Sequence, residues 1–223
     1  MLLPGAQNEA QAVDDVMRFI VSADVILFAI VVGAMLLFVF RYNKKRHPKA
    51  VNIHGNVPLE IIWTVIPVIL VMYMFYLGWK GYIQTRIVPK DAMPVKVIAR
   101  QWNWHFVYEN GKEADTLYLP QGQPVKFLMT SLDVIHGFFL PDFREKQDVL
   151  PGRVTYLVLY PENLGTYQLT CSKYCGLHHA LMYTKLIVEP PDKFLAWVND
   201  GVKEKLALPD SAGVAGNTTR AGL

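Results

Sequence analysis

Two hydrophobic periods divide this chain. From Phe19 to Phe40 the residues are apolar, interrupted only by Ser22 and Asp24. A helix of about 22 residues rises roughly 33 Å, the depth of a bilayer's hydrocarbon core. A second apolar run extends from Val57 to Trp79, with no charge between Ile61 and Leu77. Its Trp63, Tyr73, Tyr76 and Trp79 are residue types that collect at membrane surfaces. The pattern predicts a transmembrane hairpin with spans at 19–40 and 57–79. Pro67 predicts a kink in the second span, with a neighbouring helix supplying the lost backbone partner. Between the spans lie Arg41, Lys44, Lys45, Arg46 and Lys49, with no acid before Glu60, and Pro48 ends the first helix. So basic a short loop is expected on the cytoplasmic side, with both ends of the hairpin on the opposite face.

Beyond Pro94 the period falls to two. Val95, Val97 and Ala99 alternate with Lys96, Ile98 and Arg100; Val125, Phe127 and Met129 repeat the pattern, as do Val154, Tyr156 and Val158. Turns at Asn110-Gly111, Pro120, Pro151-Gly152 and Asn163-Leu164-Gly165 separate short strands. This predicts an antiparallel β-sandwich or barrel, and about 100 residues suffice for such a domain with its own core. An amphipathic helix is expected from Lys193 to near Leu206, with Phe194, Trp197 and Val198 on one side, followed by a polar, mobile tail. The expected fold class is an α+β membrane protein divided into three parts: residues 1–90 with the hairpin, 91–190 with the β domain, and 191–223. Residues 1–16 are polar and carry no evident signal peptide.

Composition agrees with this mixture: 52% of residues are hydrophobic and the mean hydropathy is +0.20. The net charge of +3, with no basic face interleaved with aromatics, argues for no nucleic-acid partner. From Lys90 to Glu189 ten Lys and Arg balance ten Asp and Glu. Two carboxylates fall at the spans. Asp24 is expected at an interface or facing a protein partner. Glu60 either takes up protons at the cytoplasmic mouth or serves as a first-turn Glu favoured by the helix dipole.

The chemistry concentrates in Cys171-Ser-Lys-Tyr-Cys175-Gly-Leu-His-His-Ala-Leu-Met182, which holds the only two cysteines. Thiolate, imidazole and thioether form a soft ligand set; a disulfide is the competing use of the cysteines. A sandwich gathers distant loops at one end, so His136, after an alternating strand, is the natural upstream ligand. The candidate set is His136, Cys171, Cys175, His179 and Met182. Two cysteines with two histidines alone describe zinc. Met182 on a β scaffold shifts the reading to copper electron transfer, and a second cysteine lets both sulfurs bridge two coppers. His178, beside His179, is expected to point elsewhere, and His105, His47 and His54 read as ordinary polar residues. Trp102, Trp104, Phe106 and Tyr108 have strand spacing and read as core, although an exposed Trp there could receive electrons.

Assembled, these residues resemble subunit II of the haem–copper cytochrome c oxidases, the CuA-bearing family, over residues 15–190. The motif Cys-Ser-x-x-Cys-Gly-x-x-His-x-x-Met is matched from Cys171 to Met182. Asp133-Val134-Ile135-His136 matches the ligand strand, and Lys146-x-Asp148-x-x-Pro151-Gly152-Arg153 the next turn. Gln101-Trp102-x-Trp104 matches the aromatic stretch. His54-Gly55-Asn56 and Leu59-Glu60-x-x-Trp63-Thr64-x-x-Pro67 match the second helix. The resemblance implies a β domain of cupredoxin type and a dinuclear copper centre bridged by Cys171 and Cys175. His136 and Met182 would complete one copper; His179 and the backbone carbonyl of Lys173 would complete the other. It implies that Trp102 receives electrons and that Glu60 sits at the mouth of the proton path called the K-channel. The implied partners are a haem-bearing subunit I, other oxidase subunits, the lipid bilayer, and either cytochrome c or a membrane-bound or tethered cytochrome donor. The implied location is a bacterial cell membrane, with both termini and the copper domain on the periplasmic side.

Two departures stand out. The family usually has Glu where this chain has Lys173, and that carboxylate helps bind magnesium at the subunit I interface; the magnesium site is therefore expected to be absent or altered. Asn103 replaces the usual aromatic beside Trp102. Two competing readings are a copper-free quinol oxidase subunit II, which would have lost the ligands, and a membrane-anchored copper-binding or chaperone protein. A soluble CuA reductase domain does not fit two spans.

Overall fold

The computed structural model describes residues 8–49, 51–52 and 54–200. Helix α1 runs Asn8–Arg41 and α2 Val57–Arg86. Both outrun the apolar segments that predicted them. Hydropathy marks only the part of a helix that lipid covers, whereas a helix continues until its backbone bonding is interrupted. The extra turns of α1 reach the β domain, where Arg144 donates two hydrogen bonds to the carboxylate of Asp14, at 2.9 and 3.0 Å. Asn56 starts α2 by accepting the Leu59 N–H on its side chain at 3.2 Å, and the helix runs unbroken through Pro67. Phe19 of α1 meets Tyr73 of α2 edge to face at 5.3 Å. Along both helices the large apolar side chains stay exposed, among them Phe28 and Ile69. A protein in water would bury them, and lipid removes that need.

Among the described residues ten strands follow: β1 Met93–Arg100, β2 Asn103–Tyr108, β3 Glu113–Ala114, β4 Leu117–Pro120, β5 Val125–Ser131, β6 His136–Leu140, β7 Glu145–Val149, β8 Thr155–Leu159, β9 Gly165–Cys171 and β10 Tyr183–Glu189. They form two five-stranded sheets, β3-β2-β1-β5-β8 and β4-β10-β9-β6-β7. The sheets are mixed rather than purely antiparallel: β1 pairs in parallel with β5, and β4 with β10. The reason is topological. After the β1–β2 hairpin the chain crosses to the other sheet at β4, and on returning β5 lies beside β1 with the same sense. The inner faces carry Val95, Val97, Ala99, Phe127 and Met129 from one sheet and Leu117, Phe138, Leu169 and Leu186 from the other, all fully buried.

The expected alternation fails at β8, where Leu157, Val158 and Leu159 are all buried and Val154 lies outside the strand, exposed. The end of α2 packs against β8 and covers its outer face, with Arg86 over the Tyr156 ring at 5.9 Å. The C-terminal helix α3 covers Pro191–Asn199 and packs on β4, burying Phe194 and Val198. Trp197 stacks on Tyr118 at 4.2 Å. The helix stops at Asn199, with Asp200 extended, short of the expected Leu206; residues 201–223, with the tail, lie outside the described residues.

Candidate metal centre

The second sheet brings the ligand types together at one end. His136 is the first residue of β6 and Cys171 the last of β9; these strands pair antiparallel, with Phe138 opposite Cys171. Met182 immediately precedes β10, which pairs with β9, and its carbonyl accepts the Cys171 N–H at 3.0 Å. The loop between, residues 172–181, folds back over this end. Ser172 N–H donates to Gly137 O at 2.9 Å, and a 3-10 turn at His179–Leu181 closes the loop.

Around the two sulfurs the donor atoms converge. Cys171 and Cys175 are free thiols with sulfurs 3.8 Å apart. His136 Nδ1 lies 3.9 Å from Cys171 Sγ, and the Lys173 carbonyl oxygen 3.1 Å from it. His179 Nδ1 lies 3.6 Å and Met182 Sδ 3.7 Å from Cys175 Sγ. His136, Cys175 and Met182 are almost wholly inaccessible and Cys171 is buried, while His179 is half-buried. His136 and the Lys173 carbonyl thus gather at Cys171, and His179 and Met182 at Cys175. Burial and the neighbouring Cys171 push the Cys175 thiol up to about 12. Two sulfurs at this spacing, unbonded to one another and ringed by two imidazoles, a thioether and a carbonyl, fit a soft-metal pair.

Asp133 governs which imidazole nitrogen faces the sulfur. Burial pushes its carboxyl up, but hydrogen bonds from His136, the Gln101 and Val134 N–H groups and Ser131 outweigh that and hold it down at about 2. The carboxylate therefore accepts from His136 Nε2 at 2.8 Å, leaving Nδ1 with a lone pair on the side of Cys171. Its other oxygen accepts the Gln101 N–H at 2.6 Å, and the Gln101 side chain donates to Cys175 O at 2.7 Å. Gln101 thus ties the His136 anchor to the cysteine loop. It was visible in the sequence only as the neighbour of Trp102, because this link spans distant segments.

The aromatic run splits. Trp104, Phe106 and Tyr108 of β2 are buried, as strand spacing predicts. Trp102 does not share their face: it lies in the turn before β2, half-buried, because the hairpin turns at Gln101 and Trp102. The indole sits over the cysteine loop, where a Cβ at Gly176 would come within 3.4 Å of its Cζ2 and Nε1. Gly176 has a φ of +120°, so its lack of a side chain answers both backbone and space. His178 meets Trp102 edge to face at 4.5 Å. Trp104 backs the site, edge-on to His136 at 6.2 Å.

Other candidates lie apart. Glu60 is exposed in the first turn of α2; the domain joins the far end of that helix, about 45 Å away for 30 residues. Asp24 is exposed on α1. His105 is held between Asp115 at 3.0 Å and Glu113 at 3.1 Å, so two acids of the Glu109–Asp115 cluster are already engaged. His47 packs on Tyr42 at 4.9 Å, and His54 is exposed. Lys173 turns its ammonium to Asp148 at 3.5 Å.

Two family descriptions match the chain. The family description "Cytochrome C oxidase subunit II, transmembrane domain" matches residues 2–77, and "Cytochrome C oxidase subunit II, periplasmic domain" matches residues 112–189. The chain is 31% identical over 222 residues to an alternative cytochrome c oxidase subunit 2 of Bradyrhizobium diazoefficiens, covering 83% of this chain and 79% of that protein. It is 31% identical over 211 residues to a probable cytochrome c oxidase subunit 2 of Rickettsia conorii, covering 84% of this chain and 66% of that protein. Among solved structures, the periplasmic domain of subunit II of cytochrome oxidase of Bradyrhizobium japonicum matches with a TM-score of 0.48 at 29% identity. That match covers 50% of this chain and 94% of the solved one.

Proposed function

The chain belongs to the cytochrome c oxidase subunit II family, and from that premise we propose that it receives electrons from a cytochrome donor and passes them to a haem-bearing subunit I. Its two long apolar helices and the matched transmembrane domain make it a membrane protein. The basic loop at Arg41–Lys49 is the cytoplasmic turn, and the β domain stands on the periplasmic face.

The observation that carries the proposal is the convergence of His136, Cys171, Lys173 O, Cys175, His179 and Met182 around two unbonded sulfurs. Bound there, a pair of copper ions supplies one-electron redox chemistry in which the charge is shared between the metals. The protein's contribution is to hold the donors still. Asp133 fixes the His136 ring, Gln101 ties down the cysteine loop, and Trp104 and Phe138 exclude water behind it. Donors that do not move between oxidation states keep reorganisation small. Trp102, against Gly176 and His178, is the surface ring through which electrons arrive. Glu60 takes up protons at the opposite end of α2. The side chain at position 173 is an ammonium without a lone pair, so this chain does not offer the carboxylate that helps hold magnesium in the family.

The ligand loops also expose Leu132, Tyr174, Leu177 and Leu181, while the acids nearest in sequence to β3 are paired with His105. Docking of the donor therefore rests on apolar contact more than on a long-range field. The test is the paramagnetic-resonance spectrum of the purified oxidase. An electron shared equally by two copper nuclei is expected; the hyperfine pattern of a single copper, or copper binding without a haem-bearing partner, refutes the assignment. Trp102→Phe should slow reduction by cytochrome c and leave that spectrum unchanged.

A further inference from the structure

The main chain and side chain of Lys173 do different work. Its carbonyl oxygen faces Cys171 Sγ at 3.1 Å. Its side chain runs the other way, across Gly137, where an added Cβ would meet Lys173 Cγ and N at 3.1 Å and collide with Ser172 Oγ. Gly137 of β6 is paired directly with Asp148 of β7, so crossing one glycine brings the ammonium to Asp148 Oδ2 at 3.5 Å. The glycine is what lets the lysine stem lie flat. Any larger residue would lift the loop or turn the ammonium away from its carboxylate.

We infer that the Lys173 ammonium, with Asp148 as its counter-ion, takes the place of a divalent cation at this face of the copper domain. The inference rests on reading the chain as an oxidase subunit II and asks what stands where the family holds magnesium. Divalent metal needs oxygen lone pairs and a negative site. Lysine offers no lone pair, adds a positive charge, and already occupies Asp148. A covalently attached charge cannot be chelated or exchanged, so the fixed positive charge beside the centre does not depend on metal supply. It also favours the reduced state of the copper centre, which carries one positive charge fewer.

The intact oxidase, purified from cells supplied with Mn2+, tests this. The parent complex is expected to hold no Mn2+ at this face. Lys173→Glu should acquire stoichiometric protein-bound Mn2+, detected by its paramagnetic resonance, and Lys173→Glu with Asp148→Asn should lose most of it. The copper spectrum should persist in both, because the carbonyl ligand belongs to the backbone. Lys173→Gln keeps the chain length without the charge and should lower the reduction potential of the copper centre. The inference is overturned by a parent complex whose Mn2+ disappears with Asp148→Asn, by a Lys173→Glu complex as free of Mn2+ as the parent, or by a Lys173→Gln potential equal to the parent's. A missing shared-copper signal in the parent would instead overturn the oxidase reading itself.

Discussion

Asp133→Asn gives the sharpest test of how the site is held. Asp133 accepts from His136 Nε2 at 2.8 Å, from Gln101 N–H and Val134 N–H at 2.6 Å each, and from Ser131 Oγ at 3.1 Å. Both its oxygens are in use, and His136 is completely buried. An asparagine keeps the shape but replaces one acceptor oxygen with a donor. If the new NH2 faces Gln101, two N–H groups oppose one another. If it faces His136, the imidazole accepts at Nε2, its proton moves to Nδ1, and the nitrogen facing Cys171 loses its lone pair. A hydrogen bond to a charged group contributes about 1.5–3 kcal/mol, and each ~1.4 kcal/mol is about a factor of ten in affinity. Loss of a carboxylate that orients a metal-binding imidazole typically weakens binding about 10–100-fold. The two routes agree. Copper affinity measured by chelator competition should therefore fall by one to two orders of magnitude, roughly, with a distorted hyperfine pattern and a folded β domain. Unchanged affinity and spectrum would show that His136 is oriented by packing alone and would refute the reasoning.

Further outcomes follow from the same geometry. The Cys175 thiol is raised to about 12 from an ordinary 9.0, so its protonated form is favoured by folding. That stability is present below about pH 9 and is lost as pH rises toward 12. Metal-free protein should show a falling midpoint of unfolding across that window, and copper loading at neutral pH should release protons measurable in weakly buffered solution. Gly176→Ala forces a side chain onto a φ of +120° and into Gln101 Nε2 at 2.9 Å. It should cost about 1–3 kcal/mol in thermal unfolding and expose Trp102 to fluorescence quenchers. Arg144→Gln removes the two hydrogen bonds to Asp14 that join α1 to the β domain. Proteolysis between the hairpin and the domain should accelerate in detergent while the copper spectrum is retained.

The hairpin and the chemistry were legible in the chain because both are local. A run of apolar residues declares a span, since lipid imposes the same demand on every position. Cys171, Cys175, His179 and Met182 lie on one loop, so their spacing alone marked a soft ligand set. The inward residues of β1 and β5 also followed directly from alternation. At β8 alternation misled, because α2 covers the face that would otherwise meet water. Helix α1 begins before its apolar run, and α2 ends after its own, for a related reason: beyond the bilayer, helix continuation depends on contacts such as Asp14 with Arg144.

Residue identity and spacing by themselves determined that the protein has two spans, a β domain and a sulfur-rich loop capable of holding a soft metal. Only the tertiary structure decided which partners act together. The pairing of β6 with β9 sets His136 beside Cys171, Asp133 selects the imidazole nitrogen, and the hairpin turn places Trp102 over Gly176. It also lets Lys173 cross Gly137 to Asp148. These contacts join segments tens of residues apart, and no period along the chain encodes them, because a side chain's neighbours across a sheet follow from strand order and register.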